Sequence, residues 1–497
     1  MTSSFDERLE RRFKTAGLFA GPALASLVWM INPGEHPPEA RSLLAVVILA
    51  ACYWMTEAIP LPATAILASG LAILLGVAPA RAVFSPYADP VIFLFIGSFL
   101  LSEAFSKYGL DRRIASAMLA TRLGRSGGGM MAGFGGASAL ISTCLSNTAT
   151  AALMTPIAVG AVAPGTAQEA RKQRATALAS GILLMVAYGA STGGMATIIG
   201  TPPNLLVAGF LERLAGTRVT FTGWLLFGAP IALVLLGASL GWTRLILGRA
   251  MQGAPSAPPA MPETQDAASR RGMRLTLCAF GLAGLLWTLP AVVSLALGRE
   301  SPIAAAVTAR LPEAGVAILC AALLFAAPID WRRRRFALTW QEGRQVNWGI
   351  ILLFGGGLSL GTLAESTGLA RWAGEGISAL GLSSTPAGLL AVSIAAGIIV
   401  SEFASNTASA TLLVPVVIAA AQSAGFDPIR PALGVGLAAT CGFIFPVSTP
   451  PNAIVFGTGL VPLWRMIKVG ILLDLTSFLV IWLGLLALTP LLPQANP

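Results

Sequence analysis

Two short polar motifs each occur twice in this apolar chain of 497 residues. Ser-Asn-Thr stands at 146–148 and, 259 residues later, at 405–407; Thr-Pro-Pro-Asn stands at 201–204 and, 248 residues later, at 449–452. Flanking residues match at the first offset too: Gly97 with Gly356, Gly109 with Gly368, Ser142 with Ser401, and Pro156 with Pro415. Hydroxyl and amide oxygens suit small hard cations, and free amide hydrogens at a helix start suit anions. The repetition predicts a transporter whose site lies between two related halves.

The Ser-Asn-Thr triplets interrupt the apolar stretches 126–165 and 376–424 near their centres. A break that faced lipid would leave backbone polar groups unpaired, at a cost of several kcal/mol each. We therefore predict two re-entrant hairpins, with tips at 146–148 and 405–407 that are buried in protein or line a wet cavity. The simpler alternative is that the triplets only cap helices.

The Thr-Pro-Pro-Asn motifs lie inside stretches that are too long for a simple membrane crossing of ~20 residues. These stretches are 175–212 and 431–461. Two consecutive prolines end a helix and restrict the residue before them. We predict helices that are broken at 200–204 and at 448–452, near mid-membrane depth. The simpler alternative is that each motif only kinks a continuous helix.

The sequence around the four breaks offers almost no charge. The windows 140–156, 190–206, 399–415 and 440–456 contain no Lys, Arg or His and a single acid, Glu402. A divalent anion bound there would lack a basic partner, and burial of an unpaired charge is prohibitive. Cations bound beside the anion would offset its charge, which favours coupled cation–anion transport over an anion pore.

Four acids within or at the ends of the apolar stretches, Glu57, Glu103, Glu402 and Asp474, suggest a rival mechanism. Intramembrane acids are costly and often functional, so these residues could relay protons, with Glu402 as the best candidate. The alternative is that each acid lies at the end of a span or is hydrogen-bonded inside the protein.

Composition defines the elements that must position these motifs. The chain is 55% hydrophobic and 11% charged with a mean hydropathy of +0.77, whereas soluble domains carry about 25% charged residues. We predict an all-α polytopic membrane protein with about eleven transmembrane helices and two re-entrant hairpins in inverted repeats. The predicted spans are 14–32, 42–58, 61–80, 90–107, 175–212, 222–246, 273–297, 312–328, 347–364, 431–461 and 466–493.

The predicted organisation has four parts. An N-terminal cytoplasmic segment and first span (1–40) precede the first repeat (41–249), a cytoplasmic linker (250–271) and the second repeat (272–497). The net charge of +10 could suggest a nucleic-acid partner, but 24 of the 32 basic residues fall in segments assigned to the cytoplasm. The charge therefore reflects topology in a cell (inner) membrane, with a cytoplasmic N-terminus, an external C-terminus and no nucleic acid.

Enzyme chemistry has little support in the sequence. The five cysteines lie in apolar runs without a CxxC spacing, and the single histidine, His36, cannot build a zinc site. An intramembrane hydrolase is a remote alternative, because Ser146 and Ser405 have no histidine or lysine nearby in the sequence to activate them. We expect no cofactor beyond sodium as a coupling ion.

Three features together carry a family resemblance: the paired Ser-Asn-Thr tips, the sequence WMTEAIP at 54–60, and FIFPVSTPPNAIV at 443–455. The chain resembles the divalent anion/sodium symporter family, which includes di- and tricarboxylate carriers and sulfate carriers. The resemblance implies a homodimer in which a transport domain carries the site across the bilayer against a fixed scaffold, like an elevator.

The resemblance also implies ligands. A first sodium site would use Ser142, Ser146, Asn147 and the Gly200 carbonyl, and a second would use Ser401, Asn406 and the carbonyls of Ala404 and Ser448. The substrate would meet Asn147, Thr148, Thr201, Asn406, Thr407 and Thr449.

The expected function is sodium-coupled import of C4-dicarboxylates such as succinate, malate and fumarate. A sodium-independent dicarboxylate exchanger and a sulfate or tricarboxylate carrier are the alternatives within the same family.

Overall fold

The computed structural model describes residues 2–32, 36–119, 126–162, 169–248, 267–298, 300–379 and 385–489. The helices of the first half are α1 (Thr2–Ile31), α2 (Pro38–Thr56), α3 (Leu61–Leu74), α4 (Ala80–Phe84), α5 (Pro90–Lys107), α6 (Leu110–Leu119), α7 (Gly127–Ser142), α8 (Asn147–Val162), α9 (Glu169–Gly194), α10 (Pro202–Ala215) and α11 (Phe221–Leu247), with a 3-10 turn at Ser85–Ala88. Of the predicted linker at 250–271, only the last five residues are described, and they open the next helix.

The second half has helices and one short ribbon. These are α12 (Ala267–Leu297), α13 (Pro302–Arg310), α14 (Glu313–Ala326), the antiparallel strands β1 (Pro328–Asp330) and β2 (Arg335–Phe336), α15 (Trp340–Gly343), α16 (Trp348–Ser366), α17 (Leu369–Ala379), α18 (Pro386–Phe403), α19 (Asn406–Ser423), α20 (Ile429–Ala438), α21 (Pro450–Gly457) and α22 (Leu463–Leu488). The order of elements from α5 to α11 recurs from α16 to α22.

The helices confirm a polytopic membrane protein. Within the described residues, ten helical segments are long and apolar enough to cross a membrane, or eleven if α13 and α14, which meet at a bend of 53°, form one span. The set differs from the predicted one, because α18 and α19 each qualify separately. The helix expected at 61–80 ends early at Leu74, where Gly76 adopts a φ of +71° and the Val77 amide bonds the Ala72 carbonyl. This left-handed glycine cap stops the helix.

The centre of the molecule is built around α9. The apolar window 177–194 of this helix is fully buried. A Cβ on Gly189 would lie 2.4 Å from the Gly135 carbonyl oxygen, and one on Gly193 would lie 2.2 Å from that of Ala139. The backbones of α7 and α9 therefore touch, as small residues allow between membrane helices.

The second half has a similar contact between α18 and α20. A Cβ on Gly397 would lie 2.7 Å from Ala438 Cβ, and one on Gly434 would lie 2.8 Å from Leu390 Cδ1. In each half, the first arm of the helical hairpin is thus packed tightly against the helix that precedes the Thr-Pro-Pro-Asn motif.

Two polar rims lie at opposite ends of α5. At its start, Asp89 pairs with Arg213 across 3.4 Å. At its last residue, Lys107 donates to Glu342 across 2.8 Å. With a rise of ~1.5 Å per residue, this 18-residue helix separates the rims by about 27 Å, close to the thickness of a bilayer core.

Glu342 belongs to the rim at the end of α5. Its burial would raise the pKa of its carboxyl group, but hydrogen bonds from Lys107 and Thr339 outweigh that effect and lower the pKa. The Lys107–Glu342 contact is therefore an ionic one at neutral pH.

Candidate functional site

The first hairpin tip is held by its own polar side chains. Helix α7 ends at Ser142 and α8 begins at Asn147, so a four-residue turn joins them. The Ser142 hydroxyl donates to Asn147 Oδ1 across 2.8 Å, and Ser146 Oγ accepts the Ala149 amide at 3.3 Å. Ser146 thus caps α8, while Ser142 and Asn147 bring two oxygens together.

The second tip repeats this arrangement. Helix α18 ends at Phe403, α19 begins at Asn406, and Ser405 Oγ accepts the Ala408 amide at 3.2 Å. Ser401 Oγ lies 3.0 Å from Asn406 Oδ1 and 2.6 Å from the Ala439 carbonyl oxygen. The caps form as the simpler alternative expects, but the serine–asparagine contact is an additional feature that capping does not need.

The two Thr-Pro-Pro-Asn motifs follow interruptions of helical structure. Helix α9 ends at Gly194 and α10 begins at Pro202, while α20 ends at Ala438 and α21 begins at Pro450. We call the segments between them link 1 (195–201) and link 2 (439–449). Both links are irregular apart from isolated turns.

The asparagine of each motif braces its link, a role that the sequence reasoning missed. Asn204 Nδ2 donates to the carbonyls of Gly194 at 2.9 Å and Thr197 at 2.8 Å. Asn452 Nδ2 donates to those of Gly442 and Phe445, both at 3.0 Å. The recurrence of both asparagines in the motif was the signal that could have identified them.

The structure brings three of the four residues of the first expected sodium site together. A Cβ on Gly194 would lie 2.2 Å from Asn147 Oδ1 and 3.2 Å from the Gly200 carbonyl oxygen. A Cβ on Gly200 would lie 2.9 Å from the Ser142 carbonyl oxygen. Link 1 therefore passes directly over the first tip, whereas the Ser146 hydroxyl serves as a helix cap.

The residues of the second expected sodium site also lie close together. A Cβ on Gly442 would lie 2.9 Å from Ser448 Cβ, 3.2 Å from the Ser401 carbonyl oxygen and 3.3 Å from Thr449 Cγ2. Asn406 joins this group through its contact with Ser401, and Ala404 is buried at the tip beside it. Link 2 thus passes over the second tip.

The expected substrate residues all lie at helix starts. Asn147 and Thr148 open α8, Asn406 and Thr407 open α19, Thr201 precedes α10 and Thr449 precedes α21. Asn147, Thr201 and Thr449 are buried, Asn406 and Thr407 are half-buried, and Thr148 is exposed. Helix starts carry partial positive charge, which suits a carboxylate or sulfate group.

Helices from the two halves also pack against each other. Helix α8 contacts α21, and α10 contacts both α19 and α20. A Cβ on Gly436 of α20 would lie 2.4 Å from Val207 Cγ2 and 3.6 Å from the Pro203 carbonyl oxygen. Each tip region is thus adjacent to a broken helix from the other half.

The four candidate acids for proton relay divide into two groups. Glu57 is exposed at the end of α2 and pairs with Lys14 at 3.7 Å, and Glu103 is half-buried one turn before the end of α5. Glu402 and Asp474 are buried, at 3% and 5% exposure. Glu402 adjoins Ser401 at the second tip, and Glu103 follows Ser102, whose hydroxyl donates to the Cys144 carbonyl of the first tip at 2.6 Å.

Comparison with known proteins identifies the family. The family model described as the sodium:sulfate symporter transmembrane region matches residues 14–491. The chain belongs to this family. The match confirms the resemblance carried by the motifs, and it makes the chain a multi-pass membrane transporter rather than an enzyme. The hydrolase alternative is therefore excluded.

Individual relatives agree with this assignment. The chain is 30% identical over 484 residues to the Staphylococcus aureus sodium-dependent dicarboxylate transporter SdcS, covering 96% of this chain and 91% of that protein. It is 35% identical over 459 residues to an uncharacterized transporter of Haemophilus influenzae, covering 91% and 92%. The family members are thus matched over nearly their whole length.

Two solved transporters have a similar fold. Alcanivorax borkumensis YdaH aligns with a TM-score of 0.55 at 16% identity, over 80% of this chain and 85% of that one. Neisseria gonorrhoeae MtrF aligns with a TM-score of 0.52 at 12% identity, over 92% and 95%. At these identities the likeness concerns the fold alone.

Proposed function

We propose that the protein is a sodium-coupled carrier that imports C4-dicarboxylates such as succinate, malate and fumarate. The observation that carries this proposal is the serine–asparagine oxygen pair at each hairpin tip, Ser142 with Asn147 and Ser401 with Asn406, each with a link passing over it. Oxygen-only ligands suit a hard cation. The substrate class is supported by the name of the 30%-identical SdcS transporter.

Each tip and its link would hold one sodium ion. Hydroxyl, amide and backbone carbonyl oxygens supply the ligands. The proposed set is Ser142, Ser146, Asn147 and the Gly200 carbonyl for the first ion, and Ser401, Asn406 and the carbonyls of Ala404 and Ser448 for the second.

The dicarboxylate would bind where four helices begin. Each carboxylate would be met by the amide hydrogens and side chains at the starts of two of α8, α10, α19 and α21. The residues proposed to contact it are Asn147, Thr148, Thr201, Asn406, Thr407 and Thr449. Because these starts offer only fractional positive charge, the two sodium ions would supply most of the compensation, which couples sodium to substrate.

The proposed movement is an elevator with inverted repeats. Helices α7–α11 and α18–α22 form the transport unit, and α1–α6 with α12–α17 form the scaffold unit. Where the units meet, α16 presents Gly357 to Thr411 and Gly361 to Phe210, with Cβ positions only 2.3 and 2.8 Å from those side chains. Glycines at these positions let the helices of the two units approach closely.

The assembly and location follow the same proposal. The carrier would be a homodimer through its scaffold units, in a cell (inner) membrane, with a cytoplasmic N-terminus and an external C-terminus. The distribution of basic residues in the sequence supports this orientation.

Two alternatives share the same site. The description of the family supports a sulfate carrier, and larger anions would make the protein a tricarboxylate carrier. A dicarboxylate exchanger would use the tips without net sodium movement.

Uptake of labelled succinate into proteoliposomes separates these functions. Sodium, lithium, potassium and proton gradients are imposed in turn, and unlabelled malate, fumarate, sulfate and citrate compete. Sodium-driven accumulation that C4-dicarboxylates inhibit is expected. Uptake only into succinate-loaded vesicles regardless of sodium would instead establish exchange, and inhibition by sulfate or citrate alone would establish the other carriers.

A further inference from the structure

The two halves differ at one position beside the tips. Residue 402, next to Ser401, is glutamate, and the equivalent residue 259 positions earlier is Thr143. The two backbones act alike: the Thr143 carbonyl accepts Thr197 Oγ1 at 2.7 Å, and the Glu402 carbonyl accepts Ser448 Oγ at 3.1 Å. The Thr143 hydroxyl instead bonds the Leu140 carbonyl of its own hairpin arm. Of these two equivalent side chains, Glu402 bonds its link and Thr143 does not.

The Glu402 carboxyl group is fully engaged with link 2. Its Oε1 accepts the Ile444 amide at 3.0 Å. Its Oε2 accepts the Phe445 amide at 3.3 Å and lies 2.5 Å from Ser448 Oγ. With the side chain buried, these contacts fix the stretch of backbone that ends at Ser448, the residue whose carbonyl faces the second tip in the proposed site.

Neighbouring elements hold the same segment from other sides. Tyr188 of α9 donates to the Phe443 carbonyl at 3.2 Å. Helix α22 passes so closely that a Cβ on Gly470 would lie 2.3 Å from the same oxygen. Link 2 is thus held at Phe443 by two helices. Within 444–448, Glu402 bonds two backbone amides and the Ser448 hydroxyl, and Asn452 bonds the Phe445 carbonyl.

We infer that Glu402 is the positioning residue of the second cation site, and that the two cation sites are consequently not equivalent. The inference rests on the proposed sodium coupling. The carboxyl group holds the Ser448 region in register with Ser401 and Asn406, whereas the first site has no comparable support from position 143. Groups that orient metal ligands without touching the metal typically change its affinity by about 10- to 100-fold when they are removed.

The test compares Glu402→Ala and Glu402→Gln with Thr143→Ala, the matched variant in the other half. Sodium activation of succinate uptake is measured in proteoliposomes, together with the maximal rate at saturating sodium. Both Glu402 variants should raise the half-activating sodium concentration by about tenfold while uptake recovers at high sodium. The glutamine side chain in Glu402→Gln has nearly the same volume as glutamate. Its NH2 group, however, would face a hydrogen-bond donor of link 2, either a backbone N–H or the Ser448 hydroxyl. Thr143→Ala should match the wild type.

Hydrogen exchange of the purified protein provides a second readout. Peptides covering 440–449 should exchange faster in both Glu402 variants than in the wild type. Their exchange rate should be unchanged in Thr143→Ala. An unaltered sodium response in the Glu402 variants, an equal shift in Thr143→Ala, or unaltered exchange at 440–449 would overturn the inference. If uptake by the wild-type protein did not depend on sodium, the proposed sodium coupling itself would be refuted, and the cation site with it. Failure of the proposed function is thus distinguishable from failure of the inference about Glu402.

Discussion

The Ser142 hydroxyl donates to Asn147 Oδ1 across 2.8 Å, and the same contact joins Ser401 to Asn406 at 3.0 Å. Both pairs close a hairpin tip and lie against a link of broken helix. The oxygens of each pair are thus positioned by the fold itself, which lowers the cost of assembling a cation site.

Removal of either serine hydroxyl should weaken sodium activation. Ser142→Ala and Ser401→Ala each delete one proposed ligand and one hydrogen bond, worth about 1 kcal/mol or roughly fivefold in sodium affinity. Sodium-activation curves in proteoliposomes measure the effect. Ser393→Ala is the matched control, because Ser393 is buried in α18 but bonds only the Leu389 carbonyl of its own helix. Curves equal to that control would contradict the ligand assignment.

A methyl group at Gly194 should disable the first tip. The added Cβ would lie 2.2 Å from Asn147 Oδ1, a distance that real contacts do not show, so Asn147 must rotate away. We expect Gly194→Ala to lose about 5- to 150-fold in sodium affinity, because overpacking costs about 1–3 kcal/mol. Gly237→Ala in α11, which has open space around it, should behave as the wild type. Equal uptake by both variants would show that sodium binding does not require the position of the Asn147 side chain observed at the first tip.

The link asparagines should contribute to stability. Asn204→Asp or Asn452→Asp puts carboxylate oxygens against two backbone carbonyls, with an expected loss of about 2–4 kcal/mol from broken bonds and buried charge. The unfolding temperature in detergent should fall. Asn347→Asp is the control, because Asn347 caps α16 only through an acceptor oxygen that aspartate keeps. Unchanged unfolding temperatures in the link variants would argue against the bracing role.

Cross-linking across the two rims should distinguish moving from fixed contacts. In a cysteine-free background, a reducible short linker between Asp89→Cys and Arg213→Cys joins α5 to α10, and one between Lys107→Cys and Glu342→Cys joins α5 to α15. The first linker should abolish uptake until it is reduced, because the proposed elevator moves α10 past α5. The second lies within the scaffold unit and should be harmless. Full uptake with the first linker in place would exclude the elevator.

The sequence alone located the tips and links, because Ser-Asn-Thr and Thr-Pro-Pro-Asn disrupt helices by local chemistry. The re-entrant course of the two hairpins stays a prediction, because α18 and α19 are each long and apolar enough to cross a membrane. The early end of α3 depended on a left-handed turn at Gly76 whose position hydropathy does not mark.

The contacts of Glu402 were beyond the reach of sequence patterns for a different reason. Its partners Ile444, Phe445 and Ser448 are more than forty residues away, and two of them contribute only backbone amides. Backbone donors carry no residue-type signal, so the sequence could show a buried acid but not what it holds. The same holds for the carbonyls that Asn204 and Asn452 bind.

The glycine contacts between each hairpin and its neighbouring helix limit how this carrier can open. Gly189 and Gly193 lie where α9 contacts α7, and Gly397 and Gly434 lie where α18 contacts α20. Separation of a hairpin from its neighbouring helix would therefore expose the backbone at these glycines. The close packing of each hairpin against its neighbouring helix therefore favours movement of the two as one unit. In the proposed elevator, gating would come from displacement of the whole transport unit, so compounds that bind between the transport and scaffold units would be better inhibitor leads than compounds aimed at a hairpin.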